Sequence, residues 1–258
     1  MSNINVLVLR AAGINCDQET LHAFQSVGAQ AQTVHINQLI KNPDILNDYQ
    51  ILTLPGGFSY GDDIAAGKIL AGQLLHHLRD AIQNFVDSDK LVLGICNGFQ
   101  ILVKAGLLPG KLDDDGATQN TTIVHNDSGK FEDRWVHLEP GTDKCVFITP
   151  GRRLYLPIAH GEGKVCFANE GLHQKIIGNK QVAFRYVDAN GQFGDYPINP
   201  NGSNDHIAAL CDSTGRILGL MPHPERYIHK THHPRWTRED IEKPDGLSIF
   251  ENAVNYFA

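Results

Sequence analysis

Cys96 is the residue in this chain best suited to covalent chemistry, because it lies between an apolar run and a run of helix formers. Leu91 to Leu93 is typical of a strand buried on both faces, and Phe99 to Ala105 is typical of a helix. The strand must therefore turn into the helix at Cys96. Gly94 and Gly98 flank the turn, and their lack of a Cβ atom lets the two elements approach closely. This pattern predicts a nucleophile elbow in which sulfur replaces the usual serine oxygen.

A cysteine nucleophile needs a base, and the base needs a group that orients it. His223 and Glu225 are the best pair, since Pro222 and Pro224 hold the segment extended and residues two apart then project to the same side. We therefore predict Cys96 as the nucleophile, His223 as the base and Glu225 as the carboxylate that orients the base. The alternatives are a small buried cysteine in an ordinary loop and a polar surface turn around the histidine.

A second histidine and glutamate pair has the same spacing. His160 and Glu162 also follow an apolar run, Leu154 to Ala159, so the sequence leaves them open as a rival pair. Gly161 and Gly163 predict a loose segment there, whereas a base must be held within hydrogen-bond reach of the sulfur. We rank this pair second.

Acyl transfer also requires donors for the oxyanion that develops in the transition state. The sequence Pro55-Gly-Gly57 directly follows a strand-like run, Ile51 to Leu54, and consecutive glycines let backbone N–H groups point at a neighbouring reaction centre. The N–H groups of Gly57 and Asn97 are the candidate pair. A tight turn would explain the glycines equally well.

Neither a metal site nor a phosphate site is predicted. His229, His232 and His233 lie in a polar stretch with Pro and Lys, which is typical of a solvated loop. None of the Gly-Lys pairs is followed by Ser or Thr, so the phosphate-binding loop is absent. The five cysteines are widely spaced and form no C-x-x-C pair, which argues against a disulfide framework and a zinc site. Among them, Cys16 is the next candidate nucleophile after Cys96.

The overall charge limits the classes of partner. The formal net charge is -7 over 258 residues, which gives no electrostatic footprint for nucleic acid or an anionic membrane. The first residues lack a basic region followed by a long apolar run, and no later run has the length needed to cross a bilayer. We expect a cytoplasmic protein with reduced thiols and with neither nucleic acid nor membrane as a partner.

Strands and helices alternate in the first part of the chain, which predicts a parallel sheet with ligands bound outside the carboxyl ends of its strands. After Gly106 the pattern changes to strands bounded by Gly and Asn, typical of antiparallel pairing. We predict an α/β fold and a single domain over residues 1–258. The predicted strands are Asn5 to Leu9, Gln32 to Ile36, Ile51 to Leu54, Thr121 to Val124, Arg134 to Leu138, Val182 to Val187, His206 to Cys211 and Ile217 to Met221. The predicted helices are Gln18 to Val27, capped by Asn15 or Asp17, then Ala65 to Phe85, Phe99 to Ala105 and Leu247 to Phe257.

Three of these stretches, Gly94 to Gln100, Pro55 to Gly57 and Pro222 to Glu225, together resemble the class I (triad-type) glutamine amidotransferases. Further stretches are similar to one family within that class, the glutaminase subunits of phosphoribosylformylglycinamidine synthase, and the resemblance covers nearly the whole chain. They are Arg10 to Asp17, Gly56 to Asp63, His125 to Gly129, His160 to Gly163 and Tyr196 to Ser203.

The resemblance implies a flavodoxin-like doubly wound mixed sheet of the class I amidotransferase type, with Cys96, His223 and Glu225 as the triad and Gln100 near the glutamine site. It implies that L-glutamine is hydrolysed through a cysteine thioester to glutamate and ammonia. The ammonia would pass to a synthetase subunit that converts formylglycinamide ribonucleotide to formylglycinamidine ribonucleotide in purine biosynthesis. ATP and magnesium are expected on that synthetase, no cofactor is expected in this chain, and a small third subunit is left open. The alternatives are a cysteine hydrolase or peptidase of related fold and a catalytically silent regulatory subunit.

Overall fold

A nine-stranded mixed sheet lies at the centre of the computed structural model, which describes residues 4–110 and 120–258. The strands are β1 (Asn5–Arg10), β2 (Gln30–His35), β3 (Ile51–Leu54), β4 (Leu91–Ile95), β5 (Thr121–His125), β6 (Glu132–Pro140), β7 (Leu154–His160), β8 (Glu162–Phe167), β9 (Val182–Val187), β10 (Ile207–Cys211) and β11 (Ile217–Leu220). The helices are α1 (Asp17–Ser26), α2 (Ile36–Lys41), α3 (Lys68–His77), α4 (Arg79–Asp87), α5 (Asn97–Lys104), α6 (Glu170–Gly178) and α7 (Leu247–Asn255).

The sheet has a parallel half and an antiparallel half. Its strands follow the order β2-β1-β3-β4-β11-β10-β9-β6-β7. Neighbours are parallel from β2 to β11 and antiparallel from β11 to β7, whereas β5 and β8 pair in a separate two-stranded sheet. The parallel half has the flavodoxin-like strand order, with β11 in the fifth place. The predicted α/β fold with a doubly wound mixed sheet is confirmed.

Strand β4 is central to the sheet, and its composition explains its position. All its residues are buried, as expected for a parallel strand covered by helices on both faces. Helix α5 follows directly and places Phe99, Ile101 and Leu102 fully inside the core. Each such side chain contributes about 1.5–3 kcal/mol through burial. The element that carries Cys96 is therefore held by packing on both sides.

Two predicted elements differ from the structure. The predicted helix Ala65 to Phe85 is two helices, α3 and α4, because Leu78 between them adopts a φ of -129° and buries its side chain. The predicted strand Gln32 to Ile36 is shifted toward the amino terminus, since His35 caps helix α2 and Ile36 starts that helix. His35 keeps the extended backbone of the strand while it caps the helix, so the strand ends there and Ile36 is helical.

Four elements were not predicted, and one cap was wrong. Strand β7 coincides with the apolar run Leu154 to Ala159, whereas strand β8 and helices α2 and α6 have no strong periodic signal in the sequence. Helix α1 begins after Cys16, so neither Asn15 nor Asp17 caps it, and Cys16 makes no side-chain capping hydrogen bond. Cys16 is instead drawn into the carboxyl edge of the sheet, where its backbone N–H donates to the carbonyl oxygen of Gly56 at 3.2 Å.

Within residues 4–110 and 120–258, none of the helices combines the length and apolarity that a bilayer span requires. The single domain over residues 1–258 stays a prediction. It is supported by the sheet, which takes strands from both halves of the chain.

Candidate active site

The predicted chemical residues meet at one edge of the sheet. Cys96 follows β4, Gly57 follows β3, His223 follows β11 and Cys16 follows β1. These four strands are parallel neighbours, so their carboxyl ends lie side by side. Ligands in open α/β sheets bind outside this edge.

The backbone at Cys96 forms the sharp turn that the flanking glycines predict. Cys96 has φ 50° and ψ -105°, a conformation that non-glycine residues rarely adopt and that typically costs about 1–3 kcal/mol. A Cβ atom on Gly98 would lie 1.9 Å from the carbonyl oxygen of Leu54, and one on Gly94 would lie 2.5 Å from Leu102 Cδ1. Glycine is therefore required on both sides of the turn. The strain is held by the surrounding core and aims the thiol out of the sheet.

His223 and Glu225 form a buried, hydrogen-bonded pair. His223 Nδ1 lies 2.6 Å from Glu225 Oε1, and the two residues are 1% and 2% exposed. The extended conformation predicted for this segment is wrong, because Pro224 begins a short 3₁₀ turn that ends at Arg226. Proline favours the first position of such a turn. The backbone N–H of His223 donates to the carbonyl oxygen of Pro157 at 2.8 Å, which fixes the segment against β7.

Charges around His223 favour its protonated form. Burial by itself lowers the pKa of His223, but the Glu225 carboxylate and Cys96 raise this pKa well above its ordinary value, and the Cys16 thiol adds to the increase. An imidazolium beside a cysteine favours its thiolate, which is the form that a cysteine nucleophile uses. The carboxylate also fixes the orientation of the ring.

Cys16 lies on the same side of the pair. It is 1% exposed, and Arg226 Nη2 donates a hydrogen bond to its Sγ atom at 3.1 Å. Burial raises the pKa of Cys16, although His223 and Arg226 oppose the shift. Cys16 is therefore mainly a thiol, and it follows a loop instead of a nucleophile elbow. These features favour Cys96 over Cys16 as the nucleophile.

A cavity of about 170 Å³ opens beside these residues. Its lining includes Gly57, Cys96 and His223, together with Cys16 and Arg226. The Cys96 thiol faces the carbonyl oxygen of Ala159 at 3.7 Å. A carbonyl group that enters this cavity meets the thiol, the imidazole and the glycine N–H together.

The candidate oxyanion donors lie on two neighbouring loops. Gly57 has φ 142°, and a Cβ atom there would lie 2.7 Å from the backbone nitrogen of Asn15, so only glycine fits. Its N–H donates no backbone hydrogen bond within the described part of the chain. Asn97 is the first residue of α5, and the N–H groups of a first helical turn have no partner inside the helix. Gly57 lines the cavity, whereas Asn97 is fully buried and does not, so the part of Asn97 as an oxyanion donor stays a prediction.

The Asn97 side chain binds these two loops together. Ser59 N–H donates to Asn97 Oδ1 at 3.2 Å, and Asn97 Nδ2 donates to Asp62 Oδ1 at 3.2 Å and to Gln100 Oε1 at 2.9 Å. Asp62 Oδ1 also accepts from the backbone N–H of Gly67 at 3.2 Å. Residues 55–62, which contain Gly57, are therefore fixed to the start of α5. The sequence gives no signal for this network.

Gln100 supports the site from behind. It is 3% exposed, its Nε2 atom donates to the carbonyl oxygen of Glu162 at 2.6 Å, and it does not line the cavity. The resemblance placed Gln100 near the glutamine site, and this structure places its amide in hydrogen bonds to Asn97 and Glu162. Its role in binding glutamine stays a prediction.

His160 has a different environment from His223. Asn126 Nδ2 donates to the carbonyl oxygens of Lys130 and His160, so Asn126 Oδ1 must accept from His160 Nδ1 at 3.1 Å. Burial and the nearby His223 lower the pKa of His160 to about 3. Gly163 is packed against the ring, since a Cβ atom there would lie 2.3 Å from His160 Cε1, so the expectation of a loose segment is wrong. The ring is neutral and does not line the cavity.

Sequence reasoning missed Arg226, whose position next to Glu225 in the chain is the signal that points to it. The expectation of a solvated loop is wrong for His233, which is 5% exposed and packs against the rings of Trp135, Tyr155 and Tyr227. His229 and His232 are exposed, as expected. Aromatic packing from β6 and β7 draws His233 inward, and such tertiary contacts leave no local pattern.

Comparison with known proteins places this site in a family context. A family described as the CobB/CobQ-like glutamine amidotransferase domain matches residues 3–257. A protein of Dehalococcoides mccartyi named phosphoribosylformylglycinamidine synthase subunit PurQ is 45% identical, and the match covers 99% of this chain and 98% of that protein. A protein of the same name from Archaeoglobus fulgidus is 40% identical over 98% of this chain and 97% of its own length.

Solved structures agree with the sequence relatives. A chain in the structure of PurLQS from Thermotoga maritima superposes with a TM-score of 0.76 at 30% identity, and the match covers 100% of both chains. A glutamine amidotransferase of Thermotoga maritima superposes with a TM-score of 0.53 at 16% identity, with 92% of this chain and 81% of that chain covered, which shows a shared fold. The predicted class I amidotransferase type of the sheet is confirmed.

Proposed function

This chain belongs to the CobB/CobQ-like glutamine amidotransferase family, and we propose from that premise that it is the glutaminase subunit of a phosphoribosylformylglycinamidine synthase. In this role it hydrolyses L-glutamine to glutamate and ammonia. The ammonia passes to a synthetase subunit that converts formylglycinamide ribonucleotide to formylglycinamidine ribonucleotide with ATP. The observation that carries the proposal is the 2.6 Å hydrogen bond between His223 and Glu225 beside a cysteine on a strained elbow.

Each residue then has a defined role in the reaction. The Cys96 thiolate attacks the side-chain amide carbon of glutamine, and the N–H groups of Gly57 and Asn97 stabilise the oxyanion that forms. His223 gives its proton to the leaving ammonia, which leaves a thioester on Cys96. A water molecule loses its proton to His223 and attacks the thioester, which releases glutamate and restores the thiolate. Glu225 keeps the imidazole oriented through both steps.

The synthetase partner is the second part of the proposal. The relatives carry the name of a synthase subunit, and the superposed chain belongs to a structure named PurLQS. Phe58 and Phe131 line the mouth of the cavity and are 47% and 53% exposed, which suits a surface that a partner covers. ATP and magnesium belong to the synthetase in this proposal, this chain needs no cofactor, and a small third subunit completes the complex if one is required.

A cytoplasmic location is also proposed. All five cysteines are free, which is typical of a reducing compartment. Purine synthesis consumes ATP and glutamine that are present there.

Two other functions remain as alternatives. A cysteine hydrolase or peptidase of related fold would use the same triad on another amide or ester, and a glutaminase assay separates the two. A silent regulatory subunit would keep the fold without turnover. The hydrogen-bonded pair of His223 and Glu225 beside Cys96 argues against the silent subunit, because a docking module has no need of it.

A glutamine analogue that carries a diazoketone tests the proposal directly. We expect it to alkylate Cys96 in the wild-type chain, as located by mass spectrometry of peptides, and to leave Cys16 unmodified. The Cys166→Ser variant is the matched control, since Cys166 lies on β8 and outside the cavity. The assignment would be contradicted by labelling confined to Cys16, or by the absence of any labelling that added glutamine prevents.

A further inference from the structure

Three buried side chains beside the cavity have the composition of a metal site. One ligating atom from each of Cys16, His223 and Glu225 lies within 4.8 Å of the other two. The three residues are 1%, 1% and 2% exposed. They come from two distant segments of the chain, after β1 and after β11, so no spacing motif in the sequence announces them. Thiolate, imidazole and carboxylate are the donor set that zinc prefers.

Two polar atoms of this cluster have no partner among the described residues. His223 Nε2 and Glu225 Oε2 are both inaccessible to solvent, and neither makes a hydrogen bond of normal geometry. A buried polar atom without a partner is destabilising unless a ligand, an ion or water satisfies it. Glu225 Oε2 belongs to a side chain that is 2% exposed and lies in the cluster, whereas His223 Nε2 is on the side of the ring opposite to the Nδ1 atom that Glu225 holds.

We propose that the substrate-free chain binds one thiophilic divalent cation, of the Zn²⁺ class, at Cys16, His223 and Glu225. The Cys16 thiol and the His223 imidazolium each release one proton to solvent as the sulfur–metal and nitrogen–metal bonds form, and no redox change is involved. Donors on one zinc ion lie at about 2.3 Å (sulfur) and 2.0–2.2 Å (nitrogen or oxygen), so they are separated by no more than roughly 4.5 Å. The observed separations are at most 4.8 Å, which is close to this range.

Glu225 Oε1 already lies 2.6 Å from His223 Nδ1. An ion in the cluster takes the place of the proton in this hydrogen bond, and the two atoms move slightly apart to hold it. Cys96 lines the same cavity but is not part of the cluster.

The positive charge of Arg226 opposes binding of the ion and lowers the affinity of the site for it. Its Nη2 atom lies 3.1 Å from Cys16 Sγ, so a cation must displace this hydrogen bond and accept a neighbouring positive charge. Glu19, at 3.9 Å from Arg226 Nε, is an alternative partner for the guanidinium. The site is therefore a moderate-affinity one that responds to the charge at position 226.

The bound ion acts as an inhibitor and not as a cofactor. It occupies the imidazole that must exchange protons with substrate, so glutamine hydrolysis stops while the ion is present. This consequence rests on the proposed glutaminase function, whereas the binding itself does not. A test that observes the metal–sulfur bond separates the two.

Cadmium is the probe, because a Cd²⁺–thiolate bond absorbs in the ultraviolet. Titration of the full chain should give this absorption with one Cd²⁺ per chain, and Zn²⁺ should compete for the site. The Cys16→Ala variant should lose the band. Cys96→Ala should keep it, and Cys166→Ala is the matched control that should behave as wild type. The affinity of Cys16→Ala for Cd²⁺ should fall by more than roughly 10–100-fold, which is the typical effect of losing a residue that only supports a ligand.

The Arg226→Gln variant gives a result that misfolding cannot imitate. It should bind Cd²⁺ several-fold more tightly, because the opposing charge is gone. The proposed site would be overturned if the Cd²⁺ band survived in Cys16→Ala or disappeared only in Cys96→Ala or Cys166→Ala. It would also be overturned if Arg226→Gln bound Cd²⁺ no more tightly than wild type. In a parallel glutaminase assay with the synthetase, Zn²⁺ should inhibit wild type more strongly than Cys16→Ala, and a chelator should restore activity.

Discussion

At the scale of the residue, the two candidate bases have opposite electrostatic environments. His223 lies against a carboxylate and two cysteines and is held protonated, whereas His160 lies against an amide and is held neutral. A general base exchanges a proton during the reaction, and His223 has the partners that this exchange requires. The difference follows from which side chains meet in the fold and cannot be read from the identical spacing of the two pairs.

Replacing the two histidines separates their roles. We expect His223→Ala to lower kcat for glutamine hydrolysis by roughly 10²–10⁴-fold, because the proton carrier is lost. Glu225→Gln should give a weaker form of the same defect, since the ring remains but its orienting charge is gone. His160→Ala should affect KM or partner docking more than kcat. Steady-state glutamate release by the complex measures all three, and a larger kcat defect at His160 would reverse the assignment of the base.

The buried His160 also makes stability depend on pH. Its pKa is about 3 in the folded chain, and an imidazole in an unfolded chain has a pKa of about 6.5. Between these values the unfolded chain binds a proton that the folded chain does not, so stability present above pH 6.5 is lost as the pH falls. The loss at pH 5 is on the order of 2 kcal/mol.

Urea unfolding at pH 7 and pH 5 measures this contribution. His160→Gln should lose less free energy of unfolding between the two values than wild type does. His77→Gln, which changes an exposed histidine on α3, is the matched control and should follow wild type. An equal loss in wild type and His160→Gln would show that His160 is not the group responsible.

At the scale of the element, the start of α5 and the loop after β3 form one unit. The Asn97 side chain joins them through Ser59 and Asp62, which anchors the part of the loop beyond Gly57 to the start of α5. Burial raises the pKa of Asp62, and its hydrogen bonds from Gly67 and Asn97 oppose that shift. Asp62 is thus a positioning residue for donors on two different elements.

Neighbouring aspartates offer a matched test of this unit. Asp62→Ala removes the acceptor for Asn97 and should lower kcat about tenfold, because a lost hydrogen bond is worth about 1 kcal/mol or slightly more. KM should change less, since the donors act mainly on the transition state. Asp63→Ala changes an exposed neighbour and should leave kcat near wild type. Equal kcat for the two variants would contradict the positioning role.

The elements that were predicted from sequence are those whose local pattern is strong. The turn at Cys96 was predictable because two glycines flank it in the sequence. Gly94 is required by contacts within the same strand–turn–helix unit, whereas Gly98 is required by Leu54 of the neighbouring strand β3. Helix α2 is only six residues long, and strand β8 begins with Glu and Gly, so neither gives a clear period. Leu78 ends α3 for reasons of packing that the helical periodicity of the sequence does not contain. The surroundings of Cys16 and His160 depend on tertiary contacts and left no local signal.

At the scale of the whole molecule, the loop after β3 is a candidate for control by a partner. Tyr60 and Asp62 have positive φ, which is strained for residues with a side chain, and the glycines at 57 and 61 adopt positive φ without that cost. Backbone N–H groups reorient easily at glycine, and free glutaminase activity would discharge ammonia into solvent. We expect the synthetase to stabilise the productive arrangement of this loop.

The partner should therefore act mainly on kcat. One displaced oxyanion donor costs about 2.7–4 kcal/mol, which corresponds to roughly a hundredfold or more in rate. Glutamate release should be slow for the chain alone and faster by this order with the synthetase and its nucleotide ligands. Equal kcat values in the two conditions would exclude the coupling and leave the glutaminase assignment intact.

One comparison tests most directly whether Cys96 produces ammonia from glutamine for a synthetase. The wild-type complex and the Cys96→Ala complex should be assayed for formylglycinamidine ribonucleotide with either glutamine or ammonium as the nitrogen source. We predict that Cys96→Ala loses glutamine-dependent synthesis and glutamate release, while ammonium-dependent synthesis stays close to wild type. Substantial glutamate release by the Cys96→Ala complex would contradict the account.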